Sequence, residues 1–436
     1  MSNKSTQLNV SQADVTSVQL SDEQNEVFKL IENTKETIYV TGKAGTGKSI
    51  LLQYFVEHTK KRVVVVAPTG VAALNVGGQT IHSFFKLAPE LQDLETLEVD
   101  GRTKELLKNI DTIVIDEVSM VRADLMEAIN IKMQLALKNK LPFGGVQMVM
   151  FGDLYQLPPV VSDNELRSYF EEVYGGIYFF NAHVFKETKL RIVELSYIFR
   201  QKSERFRRLL NAIRNGEHDY DILEELNERV VAERPESGFI TLAGNNATVS
   251  RINHSKLASL TGEERVYNAN VVGDMKESNF PTEKGLKLKV GAQVMLLKND
   301  TERPRRWVNG TLGIVTKLKE NEVLVNIDGV EHKVEKESWE AIKYSYDTEE
   351  KKLKKQVTSA FVQIPLRLAW AITIHKSQGQ TYSSVVIDLK AAFAAGQTYV
   401  ALSRCTSLEG LYLTAPIRDR DIIVDRKVVE FMGRVK

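Results

Sequence analysis

The sequence predicts an α/β protein with two domains built on parallel sheets and a small antiparallel β-barrel inserted in the second. Between about 20 and 190, short apolar runs without polar alternation separate helical patterns. Such runs are typical of strands covered on both faces. The pattern begins again near Arg191 and resumes after an interruption at about 285–360. Within the interruption, two strand-like segments flank Asp328-Gly329, which is a strong hairpin signal.

The individual strands follow from these runs in chain order. We predict strands at 38–40, 63–66, 113–115 and 148–151 in the first domain, and at 239–242, 384–388 and 411–413 in the second. Between Ser83 and Asn109 a charged, mostly helical stretch indicates an insertion between two strands. The predicted organisation is a flexible arm at 1–19, a first domain at 20–190 with its insertion at about 84–110, a second domain at 191–284 and 361–436, and the barrel at 285–360.

The composition limits the compartment and the kind of nucleic-acid site. The chain has 436 residues, with Lys+Arg at 58 and Asp+Glu at 57, so any polyanion must bind in a local groove. Its single cysteine, Cys405, excludes an internal disulfide and fits a reducing compartment. Residues 1–21 lack the apolar core of a signal peptide, and no stretch approaches the roughly 18 apolar residues of a membrane span. We therefore expect a cytoplasmic protein without membrane association.

A phosphate-binding loop is predicted at 42–49, Gly42-Lys43-Ala44-Gly45-Thr46-Gly47-Lys48-Ser49, between a strand and an amphipathic helix. The glycines let the backbone curl so that its N–H groups cradle phosphate oxygens, assisted by the helix N-terminus. Lys48 would reach the β- and γ-phosphates, and Ser49 would ligate Mg²⁺. The expected cofactors are ATP and Mg²⁺. The predicted nucleotide contacts in this loop are Gly42, Ala44, Gly45, Thr46, Gly47, Lys48 and Ser49.

Two later strand ends carry polar residues that suit hydrolysis. Asp116 and Glu117 follow an apolar strand; Asp116 would hold Mg²⁺ through water, and Glu117 would orient and polarise the attacking water. A protein that bound ATP as a switch and never hydrolysed it would not need Glu117. The segment Gly152-Asp153-Leu154-Tyr155-Gln156-Leu157-Pro158-Pro159-Val160 follows the next strand. A polar residue there can sense the γ-phosphate, but the proline pair fits a rigid turn equally well.

These motifs together resemble superfamily 1 helicases, and specifically the petite-integration-frequency family. The stretch 122–147, ending Pro142-Phe143-Gly144-Gly145-Val146-Gln147, resembles that family's own signature. Matching motifs run in the family's order from about 20 to 415. Besides the phosphate loop and the carboxylate pair, they are Ala67-Pro68-Thr69-Gly70-Val71-Ala72-Ala73, Gly78-Gln79-Thr80-Ile81-His82-Ser83-Phe84, Phe199-Arg200-Gln201, Ala371-Ile372-Thr373-Ile374-His375-Lys376-Ser377-Gln378-Gly379 and Tyr399-Val400-Ala401-Leu402-Ser403-Arg404.

The resemblance implies a fold and an activity. The fold would be two RecA-like P-loop NTPase-type domains, with a short wedge in the first and a small SH3-like β-barrel in the second. The activity would be that of an ATP-dependent DNA helicase that translocates 5′ to 3′ on single-stranded DNA and unwinds duplexes. The resemblance also implies G-quadruplex DNA as a substrate, and roles in DNA repair, replication, recombination and telomere maintenance. The alternatives are an RNA or non-unwinding translocase and an ATP-gated nucleic-acid-binding protein.

The resemblance also implies roles for residues around the nucleotide. Gln24 resembles the glutamine that reads adenine, and Gln156 resembles the γ-phosphate sensor. Arg200 and Arg404 resemble the two arginines that the second domain presents to the γ-phosphate; such groups stabilise charge only when the domain cleft closes. Gly379 would let the backbone approach the nucleotide. Two arginines from one chain favour a monomeric motor over a ring ATPase.

The DNA track is predicted across the tops of both α/β domains, where hydroxyls, backbone N–H groups and a few basic residues contact phosphates. For His82 and Phe84, a place in the core is the alternative. The cluster Arg303-Pro304-Arg305-Arg306-Trp307 is either a stacking and charge surface or a solvated loop, whereas Lys351-Lys352-Leu353-Lys354-Lys355 is typical of a solvated face. The predicted contacts are Pro68, Thr69, Asn75, His82, Ser83 and Phe84 on the first domain, and Asn246, Thr373, His375, Lys376 and Ser377 on the second.

Overall fold

A six-stranded parallel sheet forms the first domain, with strand order β3-β2-β4-β5-β1-β6. The computed structural model describes residues 19–161, 163–230, 238–302, 306–347, 352–389 and 394–433. The predicted arm, apart from its last residue, and the positions 303–305 and 351 lie outside these ranges. The strands are β1 Thr37–Gly42, β2 Val63–Ala67, β3 Gln79–Thr80, β4 Thr112–Ile115, β5 Gln147–Phe151 and β6 Leu190–Leu195.

The continuous apolar runs form strands because both faces of this sheet are covered. Val64 and Ile113 point into one core cluster, while their chain neighbours Val65 and Val114 point into another. The α/β prediction and its parallel sheet are confirmed. The helices of this domain are α1 Asp22–Asn33, α2 Lys48–His58, α3 Gly70–Asn75, α4 Ile81–Phe85, α5 Gly101–Lys108, α6 Ala123–Leu137, α7 Asn164–Tyr174 and α8 Val184–Glu187.

The first sheet extends beyond the predicted boundary at 190. β6 pairs in parallel with β1 over its whole length, from Leu190 to Leu195. It is an edge strand with partly exposed side chains, so it lacks the continuous apolar run of a central strand. Within the first domain, the predicted insertion at about 84–110 contains α5 and lies between α4 and β4.

The second domain contains a four-stranded parallel sheet with the order β18-β7-β19-β20. Its strands are β7 Ile240–Ala243, β18 Ala371–Thr373, β19 Val385–Asp388 and β20 Leu411–Leu413. Its helices are α9 Glu204–Asn215, α10 Tyr220–Asn227, α11 Asn246–Ser259, α12 Gln397–Leu402 and α13 Arg426–Gly433. The two parallel sheets confirm the two-domain α/β architecture expected of RecA-like folds.

Antiparallel strands fill the interval between β7 and β18. They begin at Arg265 and end at Leu368, a wider interval than the predicted 285–360, because short flanking strands pair with the insertion. The hairpin at Asp328-Gly329 is confirmed: both residues have positive φ, 51° and 88°, as a tight two-residue turn requires. Closure into an SH3-like barrel stays a prediction. The strands are β8 Arg265–Asn268, β9 Asn270–Val272, β10 Gly285–Leu288, β11 Gln293–Leu296, β12 Leu312–Leu318, β13 Glu322–Ile327, β14 Val330–Glu335, β15 Glu337–Asp347, β16 Lys352–Gln363 and β17 Leu366–Leu368.

Two segments from the second half of the chain lie on the first domain. The hairpin β15–β16 inserts Tyr344 into the first domain's core, where its hydroxyl accepts a hydrogen bond from Val65 N at 3.4 Å. At the C-terminal end, α13 stacks Phe431 on Phe180 with ring centroids 4.0 Å apart. These contacts hold the two parallel sheets on either side of one cleft.

Candidate active site and nucleic-acid interface

The phosphate loop connects β1 to α2 and lies against the second domain. Gly45 has φ 85°, and a Cβ at this position would lie 2.4 Å from Cβ of Arg200. Phe199 N donates to Gly45 O at 2.8 Å, which fixes the arginine segment on the loop. Glycine is therefore required here both for the left-handed backbone and for this close approach.

Lys48 lies at the start of α2, where first-turn N–H groups are available for an anion because Gly47 provides no capping side chain. Its Nζ donates to Gly42 O at 2.7 Å and to Lys43 O at 3.1 Å. Burial lowers the Lys48 pKa to about 8, although the charges of Asp153 and Glu117 oppose this. A bound phosphate would restore the preference for the charged ammonium.

The carboxylate pair lies at the C-terminal end of β4. Burial, and then the charge of Glu117, raise the pKa of Asp116 to about 7. Burial also raises the pKa of Glu117, while Lys48 and Arg404 oppose that rise. Glu117 has a left-handed backbone conformation, with φ 50°. A short helix, Val118–Met120, begins directly after it. Two crowded, desolvated carboxylates beside cationic groups suit a site where a cation and a reacting water are held.

Asp116 and Ser49 fit a magnesium ion bound together with a nucleotide. Ser49 is exposed in the first turn of α2, and the crowding of Asp116 by Glu117 would be relieved by a divalent cation. Across the described ranges, no group of three or more His, Cys, Asp or Glu side chains could hold a metal ion alone. Mg²⁺ typically takes one or two protein ligands and completes its shell with phosphate and water.

The loop after β5 carries Gln156 and a buried carboxylate. Gln156 Nε2 donates to Asp153 Oδ2 at 3.3 Å, and Tyr155 N donates to Asp153 Oδ1 at 3.2 Å. On the other side of Asp153 lies Arg214 of α9, whose guanidinium donates to Asp153 Oδ1 at 3.1 Å. Sequence reasoning did not identify Arg214, since one arginine in an amphipathic helix carries no motif.

Arg200 and Arg404 converge on the same cleft from the second domain. Arg200 Nη1 donates to Ser403 O at 3.2 Å, and Arg404 Nε donates to Val400 O at 2.9 Å, so backbone carbonyls orient both side chains. Burial, and then the charge of Arg404, lower the pKa of Arg200 to about 9. A γ-phosphate between these guanidinium groups would offset their repulsion.

Gln24 and two aromatic residues lie at the other end of the phosphate loop. Gln24 Nε2 donates to Thr46 O and Gly47 O at 3.4 Å, while its Oε1 accepts from Ser21 N at 3.1 Å. Tyr197 and Phe199 are 60% and 41% exposed, with ring centroids 4.6 Å apart. Sequence reasoning assigned no role to this pair. The available signal was the position of two aromatic residues, one residue apart, directly before Arg200.

A further contact across the cleft comes from Tyr399 of α12. Its hydroxyl accepts a hydrogen bond from Ala44 N of the phosphate loop at 2.9 Å. Gly396, just before α12, approaches so closely that a Cβ would lie 2.3 Å from Gln156 O. The N-terminal end of α12 therefore touches both loops that would surround a γ-phosphate. At Gly379, with φ 75°, a Cβ would meet no atom of the described residues within 4 Å.

The first-domain residues predicted to contact DNA lie after β2 and β3, at the carboxyl edge of the sheet. Thr69 accepts a hydrogen bond from Ala72 N at 3.2 Å, and Ser83 accepts one from Gln79 Nε2 at 2.7 Å. Burial lowers the pKa of His82 and so favours its neutral imidazole. Phe84 is buried, with its ring against Tyr344 at 6.0 Å between centroids. Pro68 is partly exposed and Asn75 is exposed.

The second-domain set lies at the equivalent edge of the other sheet. Because β7 and β18 run in parallel, Asn246 and His375 follow neighbouring strand ends. Asn246 and Lys376 are exposed, and burial lowers the pKa of the partly exposed His375. Thr373 and Ser377 are buried, and their hydroxyls form hydrogen bonds with Lys376 N and Ile374 O. Their contact with DNA stays a prediction, as it does for Phe84, because these side chains do not reach the surface in this arrangement.

Comparison with known proteins identifies the family. The family model described as PIF1-like helicase matches residues 19–222, and the model described as DNA helicase Pif1, 2B domain, matches 274–318. The chain is 34% identical over 428 residues to the ATP-dependent DNA helicase Pif1 of Bdellovibrio bacteriovorus, covering 96% of this chain and 92% of that protein. This protein belongs to the PIF1-like helicase family. The chain spans 60% of the length of the mouse ATP-dependent DNA helicase PIF1, to which it is 33% identical over 91% of its own length.

Solved structures of PIF1-like helicases match the whole fold. Bacteroides sp Pif1 in complex with ADP-AlF4 gives a TM-score of 0.89 at 39% identity, over 96% of this chain and 97% of that one. Bacteroides Pif1 bound to ssDNA gives 0.70 at 40% identity, with the same coverage of both chains. The 2B match at 274–318 falls within the antiparallel insertion.

Within the described ranges, none of the helices combines the length and hydrophobicity that crossing a bilayer requires.

Proposed function

We propose that this protein is an ATP-dependent DNA helicase that translocates 5′ to 3′ on single-stranded DNA and unwinds duplex DNA. The observation that carries the proposal is the cleft. A phosphate loop and Glu117 face two arginines of a second domain, and these groups belong to a chain of the PIF1-like helicase family. Such an arrangement hydrolyses a nucleotide only when both domains contribute, so hydrolysis is coupled to domain movement.

In the proposed mechanism each side chain has a separate task. Lys48 and the first-turn N–H groups of α2 bind the β- and γ-phosphates. Glu117 accepts a hydrogen bond from the attacking water and polarises it. Arg200 and Arg404 stabilise the charge that develops on the transferred phosphoryl group. Mg²⁺, held by Ser49 and Asp116, would neutralise phosphate charge.

The base would bind between Gln24 and the exposed aromatic pair. Gln24 can offer an amide donor and acceptor to the edge of adenine, and Phe199 offers a ring face for stacking. The Gln24 amide is hydrogen-bonded to Ser21 N and to the carbonyls of Thr46 and Gly47. We propose that adenine competes for this amide and so links base recognition to the phosphate loop.

The single strand would lie along the carboxyl edges of both sheets. Exposed Asn75 on one domain and Asn246 and Lys376 on the other can contact phosphates directly. Burial favours the neutral forms of His82 and His375, so we propose that they serve as hydrogen-bonding or stacking groups. We propose that the motor works as a monomer, that duplex junctions meet the wedge at about 84–110, and that G-quadruplex DNA is a further substrate. A chain with one cysteine, Cys405, fits a reducing compartment, and we propose the bacterial cytoplasm as its location.

The decisive experiment compares unwinding of duplexes that carry only a 5′ or only a 3′ single-stranded tail. We expect ATP-dependent unwinding of the 5′-tailed duplex and little of the 3′-tailed one, with Lys48→Ala as the inactive control. Unwinding from the 3′ tail alone would contradict the proposed direction. ATPase stimulation by single-stranded DNA is measured beside stimulation by RNA of the same sequence. Stronger stimulation by RNA would favour an RNA translocase.

A further inference from the structure

Asp153 and Gln156 lie on the same loop, and Asp153 connects this loop to the second domain. Its carboxylate is 1% exposed and receives hydrogen bonds from Tyr155 N at 3.2 Å, Gln156 Nε2 at 3.3 Å and Arg214 Nη2 at 3.1 Å. The first two donors belong to the same loop as Asp153. The third comes from α9, on the opposite side of the cleft.

Arg214 is positioned by the first domain, although it belongs to the second. Arg214 is 5% exposed, and its hydrogen-bond partners, Asp153 and Glu194, both belong to the first domain. Its guanidinium also lies over the ring of Tyr155, with 4.0 Å between its central carbon and the ring centroid. Arg208 on the same helix behaves differently: it is exposed and pairs with Glu225 within the second domain.

Substitution of either partner would leave an uncompensated buried charge at this contact between the domains. This pair is also close to the reacting groups. The charge of Asp153 acts on the Lys48 ammonium, and the charge of Arg214 acts on the Tyr399 hydroxyl that contacts the phosphate loop. Asp153 therefore lies between the nucleotide site and α9.

We propose that Arg214 is the positioning residue through which the second domain responds to the engagement of Gln156 by a γ-phosphate, with Asp153 as the link. The inference rests on the proposed helicase function. When the Gln156 amide turns toward a phosphate, Asp153 Oδ2 loses that donor, and the carboxylate is left to Arg214 and Tyr155 N. When the phosphate leaves, the amide returns. The interdomain ion pair thus differs between nucleotide states, as a nucleotide-driven domain movement requires.

The test compares Arg214→Met with Arg208→Met, the same substitution on the same helix in an exposed pair. Single-stranded DNA-stimulated ATPase and the unwinding rate of a 5′-tailed duplex are measured, and base pairs unwound per ATP are calculated. For Arg214→Met we expect this ratio to fall about tenfold or more, because a charge-assisted hydrogen bond is lost, while the ATPase rate stays within about threefold. Arg208→Met should leave both quantities unchanged.

A purely structural role would lower the active fraction and reduce both rates together, leaving the ratio unchanged. That result, or an unaltered ratio in a fully active Arg214→Met protein, would overturn the inference. If Arg214→Met does not fold, Arg214→Gln, which also removes the charge but keeps an amide donor, is read in the same way. A lowered ratio supports the inference and an unchanged ratio refutes it. Failure of the wild-type protein to unwind would instead refute the proposed function.

Discussion

Replacement of Glu117 by glutamine tests the chemistry of the cleft most directly. Glutamine keeps the size of the side chain and one acceptor oxygen, but its amide cannot take up a proton from water. The charged groups around the position, Lys48 and Arg404, favour the carboxylate and are left in place by the substitution. Nucleotide binding should therefore persist, because the phosphate loop and the α2 N-terminus are unchanged.

The size of the effect follows from the role that Glu117 plays. A positioned general base contributes about 10²–10⁴-fold to a rate, which corresponds to about 3–5 kcal/mol of transition-state stabilisation. We expect the single-stranded DNA-stimulated kcat for ATP of Glu117→Gln to fall by about this factor, while KM changes little. Loss of the Glu117 charge also removes one cause of the raised pKa of Asp116, so that pKa should move down toward its ordinary value.

The assay is steady-state ATP hydrolysis over a range of ATP concentrations, together with binding of a fluorescent ATP analogue. Glu57→Gln is the matched control, because Glu57 lies exposed on α2 and the same change there should have no effect. If kcat of Glu117→Gln stays within about threefold of the wild-type value, Glu117 does not act on the water. If analogue binding is lost as well, the residue holds the site together and the assignment of a base is wrong.

Three further outcomes follow from the same cleft. Lys48→Ala should abolish ATP turnover and leave single-stranded DNA binding, measured by fluorescence anisotropy, largely intact; ATPase activity above background would contradict the phosphate-site assignment. Arg200→Ala and Arg404→Ala should each lower kcat by about 10³-fold or more, as for arginine fingers, with ATP binding retained in the same analogue assay. The pKa of Asp116 is raised from 3.8 to about 7, so the folded protein binds more protons than the unfolded chain between these values. Without nucleotide or Mg²⁺, the free energy of unfolding should decrease as pH rises through this interval, and urea titrations of Asp116→Asn should lack that contribution.

Most strands of both parallel sheets could be predicted because each sheet is covered on both faces. Successive residues of a strand point to opposite faces, so a run of consecutive apolar residues is required. Val64 and Val65 point to opposite sides of the first sheet, and each is buried in a different core cluster. The edge strand β6 escaped assignment to this sheet because its side chains are partly exposed. The limits of the antiparallel insertion were missed for a different reason. The strand Asn270–Val272 has three residues, too few to show a period.

Side chains that act on the nucleotide were easier to predict than side chains that join the domains. Lys48 and Glu117 follow strands at short spacings within recognisable motifs, since chemistry dictates both the residue type and its place. Phe84 could be either core or DNA contact on sequence grounds. The structure buries it against Tyr344, a residue 260 positions later whose proximity depends on the folded hairpin β15–β16.

The same distinction explains why coupling residues are hard to recognise in a motor of this kind. Arg214 resembles Arg208 in sequence: both are arginines of one amphipathic helix. Only the docking of α9 against the loop after β5 gives Arg214 a buried carboxylate and an aromatic face, whereas Arg208 remains on the surface. A catalytic group must meet a ligand of fixed shape, but a coupling group must meet whatever the other domain presents when the cleft closes. Its identity is therefore a property of the domain interface, and residues such as Arg214 and Tyr399 should be sought there.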